Sequence, residues 1–226
     1  MNQAELDKLV EAPNSWHMVR ALAGIGLMCA LLIVTTYELT FETIKQNKAE
    51  VLERAIFKVV PGAQSKTTFI VKDGQVEKLQ GESNSGLKYY AGYDDSGKLI
   101  GVALEAAGQG FQDIVRVLYG FSPDKQAIVG MEVLESKETP GLGDKIEKDE
   151  TFLKNFEALD VSLNESGDNL KNEIIFVKNG TKANPWELDG ITGATISSKA
   201  IAAILQASAS QNMPFLNQNI ENFKQQ

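Results

Sequence analysis

Four hydroxyl side chains lie close together in residues 189–198, DGITGATISS, directly before the helical pattern KAIAAILQA. These are Thr192, Thr195, Ser197 and Ser198, and their neighbours are small. The backbone N–H groups at a helix start and the positive end of the helix dipole stabilise a phosphate or another anion. A turn glycine with one serine capping the helix explains the pattern about equally well, although a cap uses one hydroxyl and not four. The loop is therefore a candidate anion site.

A second loop, residues 138–144 with the sequence ETPGLGD, follows a strand-like run. Gly141 and Gly143 bracket Leu142, so the backbone there can approach a flat ligand closely. Thr139 offers such a ligand a hydroxyl, and Leu142 offers it an apolar surface. Taken by itself, the loop is more simply explained as a turn in which proline and glycine satisfy backbone geometry.

Composition excludes several other kinds of site. The chain has 226 residues and a formal net charge of −8, so a nucleic-acid-binding surface is not expected. One cysteine, Cys29, and one histidine, His17, allow neither an internal disulfide nor the usual zinc spacings. No dinucleotide fingerprint or phosphate-binding P-loop motif is present. The residues predict no catalytic group and no metal site, and only a site made of carboxylates alone is left open.

An uncharged apolar run predicts a single transmembrane helix over residues 18–37. Its length of about twenty residues matches the thickness of a bilayer. Arg20, Trp16 and Tyr37 lie where interfacial anchors are expected. A buried core helix and a cleaved signal peptide are the alternatives, and the acidic residues ahead of the run are atypical of a signal peptide.

The charges that flank this run favour one orientation. Arg20 lies on one side and Glu38 and Glu42 on the other, which favours a cytoplasmic N-terminal tail, residues 1–17. Later basic residues weaken this bias. The charge count is then close to neutral, and it permits a single-pass protein with its large domain on the periplasmic, extracytoplasmic side.

Apolar residues at helical spacing continue past the membrane and predict a linking amphipathic helix over residues 38–62. Pro61 and Gly62 predict the turn that ends it.

Short strand-like runs separated by turns follow, and they predict one α+β domain over residues 63–213, with an antiparallel sheet and flanking helices. A last helix is predicted from Ser197 to about Ala207, and residues 214–226 are predicted to form a C-terminal tail. The predicted strands are TTFIV, QVEKL, LKYYAGY, LIGVALEA, IVRVLYGF, AIVGMEVLE and IIFV.

The segment DGITGAT, which contains Thr195, resembles the flavin-attachment motif D-x-x-[S/T]-G-A-[S/T] of a family of FMN-binding domains. That family includes the G subunit of the Rnf electron-transport complex and the C subunit of the sodium-pumping NADH:quinone oxidoreductase. ETPGLGD resembles the family's loop against the flavin, and GFQDIVRVLYGF resembles the segment before it. With the single anchor, the resemblance covers nearly the whole chain. The segment ESKETPGLGDKI and the compact length favour the G subunit, and the C subunit is the alternative.

The resemblance implies covalent FMN, joined by a phosphoester to Thr195 through a magnesium-dependent flavin transferase. It assigns recognition by the transferase to Asp189, Thr192, Gly193 and Ala194. The cofactor-binding residues that it implies beside Thr195 are Thr192, Gly193, Ala194, Ser197, Ser198, Lys199, Glu138, Thr139, Gly141, Leu142 and Gly143.

By the same resemblance, the chain is an electron carrier without independent catalytic activity. Its complex would be a redox-driven, ion-translocating oxidoreductase that couples electron transfer between ferredoxin and NAD to ion movement. The implied partners are the Rnf subunits A, B, C, D and E, the flavin transferase and membrane lipid. A hypothesis of another class is a membrane-anchored binding or assembly module in which the turn TGATISS is only structural.

Overall fold

The computed structural model describes residues 15–72, 74–79, 81 and 86–224. Two compact units are distinguished, Met1–Glu50 and Val51–Gln226. Of the predicted N-terminal tail, residues 1–14 lie outside the described residues, and residues 15–17 begin a helix.

Helix α1, Ser15–Val59, contains the predicted transmembrane segment and is long and apolar enough to cross a membrane. The hydroxyls of Thr36 and Thr40 donate to the carbonyls of Leu32 and Thr36, each at 2.8 Å. Both polar groups are therefore satisfied within the helix, as a lipid environment requires.

The predicted transmembrane and linking helices form one element, because helix α1 runs without interruption to Val59. No glycine or proline lies between Gly26 and Pro61, so nothing in the backbone chemistry ends the helix earlier. The predicted turn follows, with Gly62 at a φ of 94°.

The second unit is built on a seven-stranded sheet with the order β2-β1-β3-β4-β5-β6-β7. Every neighbouring pair is antiparallel, which confirms the predicted α+β class with an antiparallel sheet. The strands are β1 Ser65–Lys72, β2 Gln75–Lys78, β3 Lys88–Tyr93, β4 Leu99–Gln109, β5 Ile114–Ser122, β6 Ala127–Glu135 and β7 Leu159–Asp160.

The predicted strand IIFV does not join this sheet. It forms β8, Ile175–Val177, and pairs in parallel with β9, Glu187–Asp189. Strands β7 and β9 were not predicted, because two or three residues are too short to show an alternating pattern.

Apart from the end of helix α1, the helices of this unit follow β6 in the chain. They are α2 Lys145–Lys148, α3 Glu150–Leu153 and α4 Thr195–Asn219, with 3-10 helices at Lys154–Glu157 and Ile220–Phe223.

Helix α4 extends well beyond its predicted end near Ala207 and continues through Pro214. Apolar residues recur every three or four positions along it, and they include Leu205, Met213 and Leu216 in the core. Beyond the helix, Phe223 is buried and its carbonyl accepts a hydrogen bond of 2.6 Å from the Tyr93 hydroxyl. The first residues of the predicted tail therefore continue helix α4 to Asn219, and a 3-10 helix follows at Ile220–Phe223.

The centre of the sheet is buried on both faces. Tyr89, Leu104 and Tyr119 belong to the main core, with helix α4. Their neighbours along the same strands, Tyr90 and Leu118, belong to a second cluster with the last turns of helix α1. Alternate residues of a strand point to opposite faces, so the sheet separates two layers of helix.

Glycines in the sheet allow the end of helix α1 to lie against it. Gly120 and Gly130 are paired across β5 and β6. A Cβ on Gly120 would lie 1.9 Å from the carbonyl oxygen of Val59, and one on Gly130 would lie 2.7 Å from the Val59 Cα. Side chains at these two positions would separate the helix end from the sheet.

Replacing Gly120 by alanine tests this packing. The full chain in detergent should lose about 1–3 kcal/mol of stability or more, because the backbone of Val59 cannot yield as a flexible side chain would. Urea unfolding provides the measurement. Gly26→Ala is the control, since a Cβ built there meets no atom of another part of the described chain within 4 Å. Equal urea midpoints for Gly120→Ala and the unmodified chain would contradict this packing.

Candidate functional site

Thr195 is the first residue of helix α4, and the loop before it turns sharply. Gly193 adopts a φ of 85°, which favours glycine, and the Ala194 N–H donates to the Ile191 carbonyl at 3.1 Å. Thr195 is exposed, and its hydroxyl has no hydrogen-bond partner among the described residues. The hydroxyl is thus accessible from solvent at the positive end of a 25-residue helix.

The two serines that follow are buried, and neither caps the helix, whose N-cap is Ala194. The Ser198 hydroxyl donates to the Ala194 carbonyl at 2.7 Å and accepts from the Ile191 N–H at 3.2 Å. The Ser197 hydroxyl donates to a carboxylate oxygen of Glu138. One serine therefore stabilises the turn, and the other joins the helix to the second predicted loop.

That second loop, ETPGLGD, is folded around a single carbonyl. The Thr139 carbonyl accepts from the N–H groups of Leu142 and Gly143 at 3.1 and 3.0 Å. Gly141 has a φ of 78°, and its N–H donates to the Asp144 carboxylate at 2.7 Å. Leu142 is 53% exposed at the tip of the loop, so its apolar side chain is available to a ligand.

The two predicted loops and residue Phe111 enclose one cavity of about 310 Å³. That volume is at the lower end of the range for small-molecule sites, about 300–1,000 Å³. The lining residues are Phe111, Thr139, Leu142, Gly143, Gly193, Ala194, Thr195, Ile196 and Ser197.

Seven of the lining residues belong to the predicted cofactor-binding set, and Phe111 and Ile196 do not. Both are large apolar side chains that are more than half exposed, at 58% and 57%. Phe111 lies in the glycine-containing segment GFQDIVRVLYGF. The resemblance of that segment to the family is the sequence feature that could have identified Phe111. Nothing in the sequence pattern distinguished Ile196 from a residue of the core.

The remaining predicted residues do not line the cavity. Glu138 and Ser198 are buried behind it, while Gly141, Thr192 and Lys199 are exposed. The carboxylate of Asp189, predicted to serve transferase recognition, accepts from the Gly180 N–H at 2.8 and 3.0 Å through its two oxygens. In the folded chain Asp189 therefore holds a neighbouring turn.

A positive charge lies next to the loop that precedes Thr195. A Cβ built on Gly193 would lie 3.7 Å from the ammonium nitrogen of Lys145. The neighbouring Asp144 is engaged elsewhere: the hydrogen bond from Lys148, with a smaller contribution from the Gly141 N–H, holds the pKa of its carboxyl below the usual value. Lys145 forms no ion pair within the part of the chain that the structure describes. The ammonium group and the helix terminus both favour an anion at this place.

These properties fit FMN, which combines a largely apolar ring with a phosphate. Phe111, Leu142 and Ile196 offer apolar contact, while the start of helix α4 and Lys145 offer positive potential. A larger cavity of about 420 Å³ lies elsewhere, between residues such as Leu99, Pro123 and Leu216, and it contains none of the predicted site residues. Within residues 15–72, 74–79, 81 and 86–224, no group of three or more metal-binding side chains occurs.

Comparison with known proteins supports this assignment of the domain. Residues 110–210, which contain both loops, match the FMN-binding domain family. The G subunit of an ion-translocating oxidoreductase complex from Methanosarcina acetivorans is 31% identical over 191 residues, covering 84% of this chain and 90% of that protein. The G subunit of the Na(+)-translocating ferredoxin:NAD(+) oxidoreductase complex of Acetobacterium woodii is 30% identical over 185 residues, covering 79% and 82%.

Solved structures share the fold. NqrC from Shewanella oneidensis aligns with a TM-score of 0.61 at 17% identity, over 78% of this chain and 99% of that one. The C subunit of the Na(+)-translocating NADH-quinone reductase from Parabacteroides distasonis aligns with a TM-score of 0.58 at 22% identity, over 76% and 94%. These similarities concern the fold alone, whereas the sequence matches extend over most of each relative. The chain therefore belongs to the family of G subunits of ion-translocating oxidoreductase complexes, and it contains an FMN-binding domain.

Proposed function

We propose that the chain is a membrane-anchored electron carrier that holds FMN through a phosphoester to Thr195, within an ion-translocating complex that transfers electrons between ferredoxin and NAD. The observation that carries this proposal is the position of the Thr195 hydroxyl. It is exposed at the start of helix α4 and lines a cavity with apolar walls. The name of the Acetobacterium woodii relative supports the choice of ferredoxin and NAD.

Attachment needs a nucleophilic hydroxyl and an accessible loop. The Thr195 oxygen forms a new bond to the FMN phosphorus of FAD, the bond from that phosphorus to the bridging oxygen breaks, AMP leaves, and the hydroxyl proton passes to the transferase. Thr192 and Gly193 are exposed beside Thr195, so a flavin transferase can reach the loop. This chain supplies the acceptor oxygen, and the transferase supplies the magnesium ion and the catalytic groups.

The residues around Thr195 then have separate roles. The N–H groups of the first turn of helix α4 and the Lys145 ammonium stabilise the phosphate charge. Phe111 and Leu142 line the cavity, where they would lie against the ring and exclude water from part of it. Bound FMN supplies the redox chemistry, since its ring accepts and returns one or two electrons. No side chain of this protein needs to act as an acid or a base.

Helix α1 anchors the carrier in the bacterial cytoplasmic membrane, with the N-terminus in the cytoplasm and the flavin domain outside. Its uncharged run and the threonine hydroxyls bonded within the helix support the anchoring. Arg20 on one side of the run and Glu38 and Glu42 on the other support the orientation. Ferredoxin and NAD are cytoplasmic, so electrons reach the domain through other subunits. The partners are accordingly Rnf subunits A to E, together with the flavin transferase during maturation and lipid around helix α1.

The attachment site is tested by replacing the Thr195 hydroxyl with a methyl group, which keeps the side chain at nearly the same size. The chain is co-expressed with an active flavin transferase and examined on a denaturing gel under ultraviolet light. Thr195→Val should give a dark band, because it removes only the acceptor oxygen, while Thr195→Ser should keep its fluorescence. Intact mass should show FMN less one water on the fluorescent proteins.

Cys29→Ala, in the transmembrane segment, is the control and should remain fluorescent. A dark wild-type band beside a fluorescent reference substrate of the same transferase would favour the binding or assembly module. Fluorescence that survives Thr195→Val would place the attachment on another side chain.

Orientation is tested with single cysteines in the Cys29→Ala chain. Lys125→Cys, at an exposed position of the domain, should react with a membrane-impermeant maleimide in spheroplasts, because the domain lies outside. Asn2→Cys should react only after the membrane is opened. The reverse labelling pattern would contradict the proposed orientation.

A further inference from the structure

We propose that Glu138 is a positioning residue of the flavin site, whose buried carboxylate holds the first turn of helix α4 against the segments that form the other walls of the cavity. The inference rests on the proposed function, in which flavin is joined to Thr195. It assigns Glu138 an indirect role in place of the direct cofactor contact that the family resemblance implied.

The carboxylate contacts two other segments of the chain. One oxygen accepts from the N–H groups of Phe111 and Gln112 at 2.8 and 3.0 Å. The other oxygen accepts from the hydroxyl of Ser197. Glu138 is only 5% exposed, so these bonds replace water around its charge.

The bond to Ser197 has no substitute. Within the described residues, it is the only hydrogen bond between residues 193–198 and the two segments 110–112 and 138–143. Those two segments are also joined to each other, since the Gln112 side chain donates to the Thr139 hydroxyl at 3.2 Å. Loss of the Glu138 carboxylate would therefore leave the helix start without a polar connection to the opposite walls.

The backbone is shaped to admit this carboxylate. A Cβ on Gly110 would lie 2.6 Å from one carboxylate oxygen, and a Cβ on Gly143 would lie 2.5 Å from the other. Neither glycine has a positive φ, so conformational freedom does not explain them. The space that they leave is occupied by the Glu138 side chain.

A positioning role follows from the identity of the hydrogen-bond partners of Glu138. Glu138 does not line the cavity, but the residues it holds do: Phe111 forms one wall, and Ser197 lies two positions after Thr195. Without the Glu138 carboxylate, the N–H groups of Phe111 and Gln112 and the Ser197 hydroxyl lose their acceptor, which disfavours the native arrangement of these segments. Removal of the Glu138 side chain should therefore leave the flavin ring less tightly held, while Thr195 still supplies the oxygen for its attachment.

Iodide quenching of flavin fluorescence tests the inference in the full, flavinylated chain in detergent, after intact mass has established the loading of each variant. Glu138→Ala should raise the quenching constant severalfold, since the ring becomes more accessible. Ser197→Ala should raise it less, because the bonds to residues 111 and 112 remain. Glu138→Gln should resemble the wild type, since its amide oxygen still accepts those N–H groups and its NH₂ group reaches the Ser197 hydroxyl.

Glu187→Ala is the matched control. Glu187 is 8% exposed and its carboxylate accepts from the N–H groups of Ala183 and Asn184, but no residue of that turn lines the cavity. This variant should unfold at lower urea and keep the wild-type quenching constant. An equal rise of the quenching constant in Glu138→Ala and Glu187→Ala would reveal general loosening and overturn the inference.

Two further outcomes separate this inference from the proposed function. A wild-type chain without flavin would overturn both, whereas loaded variants that all quench as the wild type does would overturn the positioning role alone. If Glu138→Ala does not fold, Ser197→Ala decides the matter, and a wild-type quenching constant in that variant overturns the inference.

Discussion

A buried carboxylate must have its charge satisfied from within the protein. For Glu138, this requirement brings together the segments that form the walls of the cavity. Three donors surround the Glu138 side chain, and they come from the segment at Phe111 and from the first turn of helix α4 at Ser197. Gly110 and Gly143 leave the necessary room. Parts of the chain that are distant in sequence thereby meet around one cavity, beside the hydroxyl of Thr195.

The sheet supports this arrangement because a helix packs against each of its two faces. Helix α4, which begins at Thr195, packs into the main core, and the last turns of helix α1 pack against the opposite face. The second contact depends on Gly120 and Gly130, where the backbone of Val59 comes closer than any side chain would allow. The sheet thus fixes the position of helix α4 through the core residues of that helix.

Local patterns predicted most of the fold because its strands are long enough to alternate visibly. The runs that form β3 to β6 are each bounded by turn residues, and helix α1 has an unmistakable apolar segment. The short strands β7 and β9 show no such pattern. The end of helix α4 was misjudged because Pro214 and the surrounding Asn and Gln residues resemble a tail, while tertiary contacts of Met213 and Leu216 keep the segment helical.

By itself the sequence determined the motif around Thr195, the loop of Thr139 and Leu142, and hence the FMN-binding family, since these features lie in short contiguous stretches. Only the tertiary structure decided which residues face the cavity. It added Phe111 and Ile196 to the lining, and it showed Glu138 bonded behind the cavity and Asp189 bonded to a separate turn. The physical reason is that hydrogen-bond partners and close approaches join residues far apart in the chain, and no local pattern encodes which of them will meet.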